Sequence, residues 1–150
     1  MSDLQEYWKN MDRLFLDTNV LIDVLRRRTG FWQEAMMALS LAKEGQVIAS
    51  ITALSLSDIS YVLRKGGADE MLSFFTELRL CIDVASLGKE EVDRALADPL
   101  ADFEDTLQWV AATSWKATHL ITRNEKDFPK GGALKVMSPM TYLQSRGSIL

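Results

Sequence analysis

Asp17, Asp58, Asp102, Asp105, Asn124 and Asp127 are the residues of this chain best placed for chemistry, because they fall where successive elements would leave a sheet. Leu14-Phe15-Leu16 reads as a buried strand that ends abruptly on Asp17, Thr18 and Asn19. In an open parallel sheet, ligands bind outside the carboxyl ends of the strands, which puts Asp17 at the rim of a cleft. Asp17 equally fits as the cap of a helix beginning near Asn19, and both readings stand. Asp58 has Leu54, Leu56, Ile59 and Val62 around it, where a carboxylate is costly unless paired or metal-bound; Ser57 and Ser60 allow an exposed position instead. Asp102 and Asp105, three apart, share one helical face, and Asp102 also fits an N-cap.

Hard divalent ions such as magnesium and manganese take oxygen ligands, usually a few carboxylates with several waters retained. Zinc is disfavoured: the single histidine, His119, lies in an apolar strand as a core residue, and the single cysteine, Cys81, reads as a small core residue without a disulfide partner. The sequence carries no glycine-rich phosphate loop.

Elements that could position these groups follow from the periodicity. Helical spacing covers residues 20–28, closed by Gly30, and 31–43, closed by Gly45. A strand at Val47-Ile48-Ala49-Ser50 leads into a helix bearing Leu54 to Leu63 and Asp58, then a helix over 68–78. Leu80-Cys81-Ile82-Asp83-Val84 predicts a third strand, followed by helices over 86–96 and 103–116. Thr118-His119-Leu120-Ile121-Thr122 predicts a fourth strand, Leu134-Lys135-Val136-Met137 an edge strand, and Pro139 opens a last helix. Strands alternating with helical crossovers predict an α/β fold with a parallel sheet of four to five strands.

The 150 residues fit one domain, 1–150, and 47% hydrophobic with 25% charged residues describe an ordinary globular protein. No apolar run is long enough to cross a membrane, and the acidic start, Asp3 to Glu6, is unlike a secretory signal, so the expected compartment is the cytoplasm. A net charge of −4 argues against a protein that coats nucleic acid, without excluding a nuclease whose acids are offset by cations. Arg26-Arg27-Arg28, Arg64-Lys65 and Arg123 with Lys126 are the small basic groups available.

Three motifs in order, Phe15 to Asp23, Asp102-Phe103-Glu104-Asp105-Thr106-Leu107-Gln108, and Leu120 to Phe128, resemble the PIN-domain family of metal-dependent ribonucleases, especially VapC-like toxins of toxin-antitoxin pairs. The resemblance spans nearly the whole chain. It implies a three-layer α/β/α fold, a Mg2+ or Mn2+ cleft, and hydrolysis of single-stranded RNA. Carried over, Asp17, Asp58 and Asp105 would be the catalytic, metal-holding acids, with Asn124, Asp102 and Asp127 as further ligands. Asp58 stands where the family usually has glutamate, and Asn124 where many members have aspartate. Thr18, Asn19 and Thr122 would shape the cleft, with Arg26, Arg64 and Arg123 for substrate. The toxin resemblance also implies an antitoxin over the cleft and a homodimer through the N-terminal helices.

Two other readings stay open. The Asp58 and Asn124 departures suit a PIN-like fold kept as a weakly active or non-catalytic nucleic-acid or protein-binding module. An aspartyl-nucleophile phosphotransferase of the haloacid-dehalogenase kind would want a second acid two positions after Asp17, where Asn19 stands.

Overall fold

A computed structural model describes residues 2–147. The five expected strands form one all-parallel sheet: β1 (Arg13–Leu16), β2 (Ile48–Ile51), β3 (Asp83–Val84), β4 (His119–Ile121) and β5 (Lys135–Met137), in the order β3-β2-β1-β4-β5. Alternation along the strands divides the core. Leu14, Leu16 and Ile121 face one layer, where they meet Val20, Leu21, Leu39 and Tyr142; Phe15 and Leu120 face the other, against Ala111, Ala112 and Phe128. Helices therefore cover both faces, the three-layer α/β/α arrangement.

The connections are α2 (Thr18–Leu25) and α3 (Trp32–Lys43) after β1, then α4 (Ala53–Val62) and α5 (Ala68–Cys81) after β2. After β3 come α6 (Lys89–Ala97) and α7 (Phe103–Ser114), and α8 (Pro139–Ser145) closes the described chain. An additional helix, α1 (Asp3–Lys9), precedes the sheet, started by a Ser2–Gln5 capping box that the polar N-terminus did not suggest. Among the described residues no helix is long and apolar enough to cross a membrane.

The strand predicted over 80–84 begins later than expected, since Leu80 and Cys81 still belong to α5. Leu78, Cys81 and Ile82 pack on the core at three- and four-residue spacing, while Leu80 is 85% exposed, so the apolar run continues the face of α5. Ile82 turns the chain extended, and Asp83 and Val84 pair with Ser50 and Ile51 at the sheet edge. Cys81 is partly buried against the core, its thiol near the Leu78 carbonyl at 3.5 Å. His119 is a core residue as expected, edge-on to Tyr142 at 5.0 Å with Nδ1 2.8 Å from the Thr118 hydroxyl.

Candidate active site

The sheet order places β1 between β2 and β4, and the direction of crossover reverses there, opening a crevice beyond the strand ends. Leu16 and Ile121 are register partners, so the residues after them, Asp17 and Thr122, leave the sheet side by side. The Asp17 backbone N–H still reaches the Ile121 carbonyl at 2.9 Å. Its carboxylate does two jobs. Oδ1 accepts the Thr18 backbone N–H at 2.8 Å as the cap of α2, and Oδ2 accepts the Thr122 hydroxyl at 2.8 Å and Asn19 Nδ2 at 3.3 Å.

Thr122 Oγ1 in turn accepts the Asn124 backbone N–H at 3.0 Å, and Asn19 Oδ1 accepts that of Arg123 at 3.4 Å. The loops after β1 and β4 are thereby laced together around one acid. Burial raises the Asp17 carboxyl above its ordinary value despite these bonds and the nearby Arg123 charge.

Asp105 stands in the first turn of α7. Burial raises it first, and the charges of Asp102, Asp17 and Asp127 add to this, to about 6. The charges of Asp17, Asp105 and Asp127 thus act on one another at this end of the sheet, exposed Asp127 lying in the 3-10 turn Glu125–Asp127 after β4, which Asn124 precedes. Asp102 is exposed and caps α7, its Oδ1 accepting the Asp105 N–H at 2.9 Å. Asp58, half-buried on α4, meets Glu104 of α7 in a carboxyl–carboxylate hydrogen bond that lifts Glu104 to about 7.

Sequence reasoning did not single out Glu104; its place between Asp102 and Asp105 was the available signal. Among the described residues no three His, Cys, Asp or Glu side chains are grouped to hold one ion between them. The donor set is nevertheless all oxygen, and its mutual repulsion is what a hard cation relieves; such ions commonly take only one or two carboxylates directly. The residues fit the group.

A pH dependence follows. The ordinary carboxyl value of Asp105 is 3.8, and in the fold it lies near 6, so the folded state binds this proton more tightly than the unfolded chain. Its contribution to stability is full below the ordinary value and is lost as pH rises through about 6. Buried His119, shifted downward by desolvation, gives an opposing slope common to wild type and variant. In thermal melts without metal, wild type is expected to lose Tm relative to Asp105→Asn as pH rises from about 4 to about 7, the window the shift defines. A constant difference across that range would remove the crevice's electrostatic strain.

Beneath the acids lies a buried polar knot that the sequence did not disclose. Gln108 of α7, 1% exposed, donates from Nε2 to the Thr18 and Ser55 hydroxyls, both at 3.1 Å, and accepts the Thr52 hydroxyl at 2.9 Å. Thr18 and Ser55 are themselves 2.7 Å apart. One amide therefore ties together the starts of α2 and α4 and the body of α7, the helices carrying or following Asp17, Asp58 and Asp105.

The basic candidates divide. Arg123 lies at the crevice, its Nε 2.6 Å from Oδ2 of Asp23, an α2 carboxylate only 1% exposed that the sequence reading passed over. Arg26 and Arg64 sit at the far ends of α2 and α4, bonded to the Val62 and Tyr61 carbonyls. With α2 between them, Arg26 lies about 13 Å from Asp17 along the helix axis.

A doubly wound parallel sheet with acids gathered at its switch point defines a class of cleft proteins. Residues 13–126 match the model of the PIN domain, and the chain belongs to that family. Ribonuclease VapC1 of Aquifex aeolicus (strain VF5) is 27% identical over 124 residues, 79% of this chain and 85% of that protein. Among solved structures, a toxin-antitoxin complex from Klebsiella pneumoniae superposes with a TM-score of 0.65 at 22% identity, covering 84% of this chain and 97% of that one. VapBC2 from Rickettsia felis, bound to a DNA fragment from its promoter, gives a TM-score of 0.59 at 16% identity, covering 83% and 96%.

Proposed function

We propose that this protein is a divalent-metal-dependent endoribonuclease acting on single-stranded RNA, the toxin of a toxin-antitoxin pair. The observation that supports it best is the buried Asp17 at the switch point, with Asp105 and Asp127 near enough for their charges to act on it or on one another. Asp17, Asp58 and Asp105 would serve Mg2+ or Mn2+, one or two of them directly and the rest through retained water, with Asn124, Asp127 and Asp102 at the margin. When bound, the cation activates water and offsets charge at the scissile phosphodiester.

The chain's own residues supply position. Thr122, Asn19 and the Thr18 N–H fix the Asp17 carboxylate so that both oxygens keep one orientation. Arg123 offsets the charge of Asp17 at the rim, where a phosphate must approach a cluster of carboxylates. Glu104 beside Asp58 brings a longer carboxylate to the position where Asp58 is one methylene short of glutamate. Kinship with VapC1 of Aquifex aeolicus supports the ribonuclease reading, and the fold shared with the Klebsiella pneumoniae and Rickettsia felis complexes supports an antitoxin partner. A cytoplasmic homodimer completes the proposal.

The test is cleavage of mixed single-stranded RNA with magnesium, manganese or chelator. Cutting that chelator abolishes is the expected result, with manganese favoured because Asn124 brings no charge to the site. Cutting that persists in chelator, or none with either metal, would refute the reading.

A further inference from the structure

Phe31 stands at the rim of the crevice in the loop joining α2 to α3, and it remains 41% exposed between two cations. The guanidinium of Arg123 lies 5.0 Å from its ring centroid and that of Arg28 lies 5.3 Å away. Arg123 is the residue that also meets Asp23 and neighbours Asp17, so the ring is tied to the acidic crevice through one side chain. Arg27 places a further guanidinium 5.7 Å from the ring of Trp32. Among the described residues only Arg123 and Arg146 form ion pairs, which leaves Arg26, Arg27 and Arg28 without carboxylate partners on a chain of net charge −4.

An aromatic face bracketed by two guanidinium groups, of which Arg28 has no carboxylate partner among the described residues and Arg123 shares its charge with Asp23, suits an unstacked base and its flanking phosphates. Every base has a π-face, so such a platform selects single strands without fixing sequence, whereas bases in a duplex already stack on one another. The alternative occupant, an acidic protein segment, would engage the arginines but gains nothing special from the ring.

We infer that Phe31, flanked by Arg28 and Arg123, is the stacking platform for a base of single-stranded RNA next to the cleavage site. This rests on the nuclease reading for its cleavage arm and on binding alone for the other. The probe is a short single-stranded RNA carrying 2-aminopurine, whose fluorescence falls on stacking, measured with wild type, Phe31→Leu and Phe31→Tyr in chelator and in calcium. Wild type and Phe31→Tyr are expected to quench the probe; Phe31→Leu should bind roughly tenfold more weakly, with quenching lost and KM for cleavage raised while kcat holds.

Equal quenching and cleavage in wild type and Phe31→Leu would overturn the platform and leave the nuclease intact, the result also expected if a protein partner uses this patch. Phe31-dependent quenching without cleavage in any metal would support the platform while the nuclease reading fails. Neither binding nor cutting by wild type would overturn both.

Discussion

Asp17→Asn is expected to lower RNA cleavage on the order of 10²- to 10³-fold while raising the melting temperature of the metal-free protein. The two effects have one cause. The crevice buries a carboxylate whose folded-state proton affinity lies above its ordinary value, so ionised Asp17 opposes folding at neutral pH. Asparagine is nearly isosteric and keeps an oxygen for the Thr18 N–H, so α2 retains its cap. Its amide N–H can donate to Thr122 Oγ1 in place of the bond that the hydroxyl now gives to Oδ2, while the longer 3.3 Å bond from Asn19 Nδ2 is given up. What is lost is negative charge, the property a divalent cation needs.

A second readout makes the assignment specific. Manganese taken up by the folded site alone should raise the wild-type Tm through mass action, with a much smaller rise for Asp17→Asn. Calorimetric titration of each protein with manganese reads the same difference without any RNA. A variant that loses stability as well as activity would make Asp17 a structural cap first, and unchanged cleavage would move the proposal to the non-catalytic binding module.

The parts of this molecule legible from sequence are those set by short-range pattern. Leu14-Phe15-Leu16 followed by Asp17 announced both a buried strand and the acid that leaves its carboxyl end, because a parallel strand covered on both faces is apolar without interruption. The parallel sheet, its fifth edge strand and the core role of His119 followed from similarly local cues. The start of the strand expected over 80–84 shows where such cues fail: Leu80, Cys81 and Ile82 are apolar in a row, and only packing decides that Leu80 faces solvent and that the strand begins at Asp83.

Pairings between distant elements left no local trace. Asp23 meets Arg123 across 100 residues, and Glu104 finds Asp58 only because α4 and α7 lie against one another. Asp102 could be read as cap or ligand from spacing alone, and in the fold its side chain caps Asp105. The hydroxyls of Thr18, Thr52 and Ser55 are unremarkable in sequence, since their common partner is an amide far along the chain.

That amide carries the second large effect. Gln108→Leu keeps approximate volume but removes three hydrogen bonds inside a knot that water does not reach. The Thr52 hydroxyl loses its acceptor, and Thr18 and Ser55, left bonded only to each other, lose their shared donor. Each buried polar group left unsatisfied costs about 1 to 3 kcal/mol, and partial rearrangement of the hydroxyls brings the expected total to about 3 kcal/mol. For a domain of this size that is a fall in Tm of roughly 10 °C. Because the knot sets α7 against the starts of α2 and α4, cleavage at a temperature where the variant is fully folded should also fall, by roughly tenfold, since a small displacement of positioned groups is costly. Urea unfolding reads the first effect and single-turnover kinetics the second. A loss under about 0.5 kcal/mol, the range of an ordinary surface substitution, would mean that the hydroxyls repartner among themselves and that Gln108 does not hold the acids in place.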